Sequence, residues 1–152
     1  MPRVVPFDPA LAPAFSTLNR EWIERLFAIE PADLNTLSDP EGAIIVPGGQ
    51  IFFALDGPTA IGTVAAVLAG PGRFELAKMA VSPAHQGRGL GEALGRAVIA
   101  WVRAQGATDL FLLTNSRLAG AIRLYERLGF QHRPFPPHTE YSRADVYMEY
   151  PL

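Results

Sequence analysis

Gln86-Gly87-Arg88-Gly89-Leu90-Gly91 is the stretch whose residue types and spacing are best suited to chemistry. Three glycines in five residues let the backbone turn tightly with no Cβ in the way, so several N–H groups can converge on one spot. Leu90, Leu94, Val98, Trp101 and Val102 then recur at helical spacing. The loop therefore feeds a helix N-terminus, where the first N–H groups and the helix dipole favour an anion such as a pyrophosphate. It lacks a Gly-Lys-Ser/Thr tail, so nothing in it would hold a terminal phosphate and magnesium as a nucleotide-binding P-loop does.

The elements that must position this loop are legible on both sides of it. Arg3 to Phe7 reads as a short strand, and Asp8-Pro9 as an N-cap followed by proline at the first helical position. Leu11, Phe15, Leu18, Trp22 and Leu26 give the following helix an apolar face, ending near Ala28. Pro31-Ala32-Asp33 starts a second short helix, stopped by Asp39-Pro40. Ala43 to Val46, Gln50 to Leu55 and Ala60 to Leu68 are β-rich runs separated by Pro47-Gly48-Gly49 and Asp56-Gly57-Pro58, and Arg73 to Val81 completes an antiparallel meander. After the glycine loop come a helix over 90 to 104, a strand over Asp109 to Thr114 and a helix over Arg117 to Leu128, with Gly106 and Gly129 as stops. Phe130 to Arg133 and Arg143 to Tyr150 read as two further strands, joined through the stiff Pro134-Phe135-Pro136-Pro137 loop. A strand, helix, strand connection of this length implies a parallel pair between residues 74 to 81 and 109 to 114. The expected fold is an α/β, mostly antiparallel mixed sheet of six or seven strands with one splayed parallel junction and about four helices. Where neighbouring parallel strands diverge, unpaired backbone groups are left for an extended ligand.

Composition narrows the rest. The 152 residues, 49% hydrophobic, suit one domain over residues 1 to 152 with a single real core. A net charge of -2 argues against a nucleic-acid partner, which normally needs a basic face. With no cysteine there is no disulfide framework, thiolate metal site or thiol nucleophile. His85, His132 and His138 do not form a metal pair at helical spacing, so no metal is expected. No signal-peptide core or membrane-spanning run is present, so a soluble cytoplasmic protein with no membrane partner is the expectation.

Taken in order, Glu75-Leu76-Ala77-Lys78-Met79-Ala80-Val81, Gln86 to Gly91, Asn115, and Leu124-Tyr125-Glu126-Arg127-Leu128-Gly129-Phe130 resemble the GNAT superfamily of N-acetyltransferases, across essentially the whole chain. The resemblance implies transfer of an acetyl group from acetyl-CoA to an amine. It implies that Met79, Ala80 and Val81 hold the pantetheine arm and that Gln86, Gly87, Arg88, Gly89, Leu90 and Gly91 take the pyrophosphate. Glu75 stands eleven residues before Gln86, where one histone-modifying branch carries its general base, and Tyr125 matches the tyrosine that protonates the departing thiolate. The chemistry asks for these residue types. An alkyl ammonium with a pKa of ~10.4 must lose a proton before attacking a thioester, and a thiolate must gain one. Without a cysteine, direct attack in a ternary complex is expected.

Each of these residues has a second reading. Glu75 can be a solvated strand residue or the partner of Lys78 or Arg73; strict strand alternation places it with Ala77 and Met79, opposite Phe74, Leu76 and Lys78. Tyr125 shares a stripe with Leu118, Ile122 and Leu128 and fits a core tyrosine with its hydroxyl at the edge. Arg88 is a phosphate contact or a surface residue, and Asn115 a helix cap or a cofactor contact. Trp22 and Tyr141 fall where the resemblance puts the acceptor cleft. Glu21, Glu24, Glu30 and Asp33 either attract a cationic amine or form a solvated helix face. A small-molecule amine is the favoured acceptor over a protein, leaving polyamine, amino-acid derivative, aminoglycoside-like compound and protein N-terminus open. A non-catalytic acyl-CoA-binding sensor is the competing function. The last strand can pair internally or across a homodimer.

Overall fold

A computed structural model describes residues 2–136 and 143–152; His138 and Tyr141 lie outside the described residues. One sheet of seven strands runs β1 (Arg3–Pro6), β2 (Gln50–Asp56), β3 (Thr59–Gly70), β4 (Arg73–Val81), β5 (Asp109–Thr114), β7 (Val146–Tyr150) and β6 (Gln131–Arg133) from edge to edge. Among the described residues only β4 and β5 pair in parallel, through Arg73 to Glu75 against Asp109 to Phe111. Beyond Glu75 the two strands part, while β5 goes on pairing with β7 as far as Thr114. The splayed junction expected from the strand, helix, strand order is therefore present, and β7 pairs within the chain on both of its sides.

Helices cover both faces. α3 (Leu90–Ala104) and α4 (Ala119–Leu128) pack on one, burying Leu94, Val98 and Val102 against Leu76, Leu110 and Met148. α1 (Ala12–Leu26) and α2 (Pro31–Ser38) pack on the other, where Phe15 and Ile23 meet Ile51, Phe53 and Ala65. The buried face of α1 is Phe15, Asn19 and Ile23, turned slightly from the face read from its leucines. Asn19 is tolerated there because its amide donates to the Phe15 carbonyl and its Oδ1 accepts from Trp22 Nε1. Asp8 caps as expected, but over a 3-10 turn at Pro9–Leu11 that leads into α1.

Ala43 to Val46 is not a strand. Glu41–Ile45 forms one wide helical turn closed by the Val46 N–H on the Glu41 carbonyl at 2.9 Å. Its residues are β-formers, but the Asp39 carboxylate accepts from Gly42 N–H and starts a turn, and that turn buries Ile44 in the α1-side core. The following chain is held tightly at Gly49, whose N–H donates to the Ile44 carbonyl. A Cβ there would lie 2.3 Å from the Ala66 carbonyl oxygen and 2.7 Å from that of Ile44, both backbone atoms. Gly49→Ala is therefore expected to destabilise the fold by roughly 1–3 kcal/mol or somewhat more, read from urea unfolding. A loss below about 0.5 kcal/mol, the scatter of ordinary surface changes, would mean that the turn relaxes freely.

Candidate functional site

β4 does not alternate to its end. Lys78 takes φ 55°, and the pairing with β3 slips from Ala65 opposite Ala77 to Thr63 opposite Ala80, so one extra residue is inserted in β4. Before this bulge, Phe74 and Leu76 face α3; after it, Met79 and Val81 pack on that same α3 side. Glu75 and Lys78 are instead turned toward α1 and α2. The expected face shared by Glu75, Ala77 and Met79 is thus broken, because an inserted residue reverses the phase of every residue after it.

The side chain of Lys78, 8% exposed, reaches Asp33 of α2, which is fully buried, at 2.6 Å. Arg143, just before β7, grips the same carboxylate with both guanidinium nitrogens at 2.7 and 2.8 Å and adds Glu30 at 3.1 Å. Burial alone would push the Asp33 carboxyl up. The Arg143 and Lys78 bonds, with a further one from the Glu30 N–H, outweigh burial and hold it well below the usual carboxylate range. For Lys78, burial prevails over its partner and pulls the ammonium below the ordinary lysine value. Asp33 is accordingly neither a free lure for a cation nor part of a solvated face. Glu21 and Glu24 are exposed partners of Arg25 and Arg20 along α1.

Where β4 and β5 part, a cavity of about 720 Å³ opens. The β4 segment from Glu75 to Val81 forms one wall, and the glycine loop with the start of α3 closes one end. Gly87 and Gly89 both adopt positive φ, at 78° and 79°, and no side chain caps α3, so its first-turn N–H groups face outward from an open N-terminus. The third glycine acts differently. Gly91 is already helical, and a Cβ on it would come within 2.8 Å of Leu124, so it serves the close approach of α4 and not the turn. Gln86 donates its side-chain amide to the Val81 carbonyl at 3.1 Å, tying the loop to the end of β4. His85 also lines the cavity, and its buried Nδ1 has no hydrogen-bond partner among the described residues.

Every residue that the resemblance assigns to catalysis or to the coenzyme lines this cavity except Arg88, which is exposed within the loop; of the acceptor-cleft candidates Trp22 lines it, and Glu21, Glu24, Glu30 and Asp33 do not. Glu75 is half-buried at the last paired position of the junction, on the α1 side. Tyr125 comes from α4, on the opposite side, 7% exposed, with its ring edge-on to Phe130 at 6.0 Å. Burial pushes its phenol up to about 12, so the O–H stays protonated at neutral pH, and no described residue hydrogen-bonds to it. Asn115 has both ends engaged: Oδ1 accepts from the Arg117 N–H at 2.8 Å and Nδ2 donates to the Arg143 carbonyl. It organises the turn before α4, which consequently starts at Ala119 and not at Arg117.

The sequence reading missed Arg123 and Arg127, which project from successive turns of α4 into the cavity. Their spacing of four around Tyr125 is the signal that would have found them. It also missed the Lys78, Asp33, Arg143 cluster, whose members are 45 and 110 residues apart and carry no local pattern. Trp22, Arg25 and Phe27, at and just beyond the end of α1, also line the cavity, with Arg117 and Arg143 over the Phe27 ring. Among the described residues, no helix is long and apolar enough to cross a membrane, and no three side chains cluster to hold a metal.

The chain matches the Acetyltransferase (GNAT) family over residues 13–130. Mouse N-acetyltransferase 8 is 36% identical over 117 residues, which make up 74% of this chain and 49% of that protein. The chain spans about half the length of the curated relatives it matches, or less. In three dimensions it resembles a GNAT-family acetyltransferase from Staphylococcus aureus at TM-score 0.88 and 16% identity, covering 99% of this chain and 98% of that one. It also resembles the PaiA N-acetyltransferase from Thermoplasma acidophilum, solved in complex with coenzyme A, at TM-score 0.80 and 13% identity, covering 100% and 99%. At these identities the two structures speak for the fold.

Proposed function

Because the chain belongs to the GNAT acetyltransferase family, we propose that it transfers the acetyl group of acetyl-CoA directly to the primary amine of a small molecule. The observation that carries this reading is the cavity at the fork of β4 and β5, with Glu75 on one side of the sheet and the buried, protonated Tyr125 on the other. The residues present suit a pantetheine pyrophosphate. The open N-terminus of α3, the Gly87 and Gly89 turns, the orphaned Nδ1 of His85 and the cations Arg123 and Arg127 all border one end of the cavity. The unpaired edge of β4 from Met79 through Val81 offers strand-like hydrogen bonds to the amides of the arm.

Acetyl-CoA supplies an acyl carbon already activated as a thioester. Glu75, directly or through water, takes a proton from the ammonium and so frees the attacking lone pair. A C–N bond forms at the acyl carbon as the C–S bond breaks, and Tyr125 gives its proton to the departing sulfur. Of the two protons the nitrogen loses, one returns to Tyr125 and the other leaves to solvent by way of Glu75, so one proton is released per turnover. Backbone N–H groups near Val81 provide donors for the carbonyl oxygen.

Release of free CoA thiol from acetyl-CoA across an amine panel tests the reading. Acetyl-CoA that protects against heat while no amine yields thiol would instead favour a non-catalytic acyl-CoA sensor. Glu75→Gln keeps the shape and removes the base. It is expected to lower kcat by roughly 10²-fold at neutral pH and to recover part of that loss as pH rises toward the amine pKa. A flat pH profile with unchanged kcat would assign Glu75 to the wall alone.

A further inference from the structure

We propose, on the basis of the acetyltransferase reading above, that the acceptor is an amine that also carries a carboxylate, an α-amino acid or a close derivative, and that Arg117 binds that carboxylate. The cations Arg25, Lys78, Arg117 and Arg143 line the cavity together with Glu75, whereas the other carboxylate among its described lining residues, Glu92, stands on the first turn of α3. Three of the four are committed elsewhere. Arg25 pairs with Glu21 at 2.9 Å, and Lys78 and Arg143 converge on Asp33. Arg117 differs, because no carboxylate among the described residues pairs with its guanidinium.

Arg117 is nevertheless held in place. Its guanidinium lies 4.8 Å from the centroid of the Phe27 ring, and Phe27 is itself set edge-on against Trp22 at 6.3 Å and 90°. Its backbone N–H is fixed by Asn115 at 2.8 Å. A guanidinium laid on an aromatic shelf keeps its N–H edge available and loses little freedom on binding, and that edge matches a carboxylate with two parallel hydrogen bonds. Glu75 lines the same cavity, so an ammonium and a carboxylate on one small molecule meet groups of opposite sign. A polyamine would instead set a second ammonium against Arg117, and an amine lacking an anion would leave Arg117 unanswered.

The test compares α-amino acids with their carboxamides and with the corresponding decarboxylated amines, in the wild type and in Arg117→Gln. The acid is expected to exceed its carboxamide in kcat/KM by roughly 10- to 100-fold, the worth of a charge-assisted bidentate contact. Arg117→Gln should erase that preference through the acceptor KM while the KM for acetyl-CoA stays as it was. Equal or better use of amides, decarboxylated amines or polyamines would overturn the carboxylate assignment and leave the acetyltransferase reading standing. A rise confined to the acetyl-CoA KM would give Arg117 to the cofactor and also overturn it. Should no amine be turned over, heat protection of the CoA-loaded protein by the acids reads the same contact. Protection lost in Arg117→Gln supports the assignment, and equal protection by acids and amides refutes it.

Discussion

Replacing Asp33 with alanine is expected to destabilise the protein by roughly 3–5 kcal/mol, the loss typical when one partner of a buried charge cluster is removed. Asp33 is fully buried and accepts from Lys78, Arg143 and the Glu30 N–H, so its removal takes the shared carboxylate from two cations at once. The affected elements are not local: Lys78 belongs to the β4 bulge, Asp33 to α2 and Arg143 to the lead-in to β7. Urea unfolding of Asp33→Ala measures the loss, and Asp33→Asn, which can still accept from the Glu30 N–H, is a milder variant should the first fail to fold. A loss below about 1 kcal/mol in both would show that Lys78 and Arg143 find other partners.

The same carboxylate makes a prediction about acid. Its folded pKa lies below the ordinary value of 3.8, so its contribution is fully present above that value and is lost as pH falls below it. Wild-type stability should therefore drop across that acidic window. Asp33→Asn, already lacking the charge, should show a shallower drop, and parallel curves for the two proteins would contradict the assignment.

The second large effect is chemical. Tyr125→Phe is expected to lower kcat by about 10²- to 10⁴-fold, the range for loss of a positioned acid, with little change in stability. The reason for the split is structural. The ring keeps its edge-on contact with Phe130, while the hydroxyl makes no hydrogen bond to a described residue and so leaves none broken. Since burial raises the phenol to about 12, any alkaline decline in kcat well below that pH belongs to another group. A kcat within about threefold of wild type, with unfolding unchanged, would reduce Tyr125 to a packing residue.

Much of this was legible in the sequence because it is local. The apolar face of α3, the Gly106 and Gly129 stops, the two positive-φ glycines before the helix and the strand, helix, strand order each depend on residues a few positions apart. So does the motif from Leu124 to Phe130 that carries Tyr125. What misled was also local: Ala43 to Val46 has strand-forming residues, yet a wide turn buries Ile44 more effectively. Gly91 belongs by its spacing to the loop, although its reason for being small is Leu124 on another helix.

The amino-acid sequence by itself therefore determined most of the order of elements, the parallel junction and the glycine turn that opens α3, since periodicity and turn chemistry act over short stretches of chain. Only the tertiary structure decided which way the residues of β4 point past Lys78, because a single inserted residue reverses their faces without any mark in the pattern. It alone decided that Asp33 is a buried anchor and Glu21 a surface partner, since the charge of a side chain is local but its desolvation is not. And it alone set Arg117 on Phe27 in the wall of the cavity, joining residues 90 positions apart in a contact that no spacing rule describes.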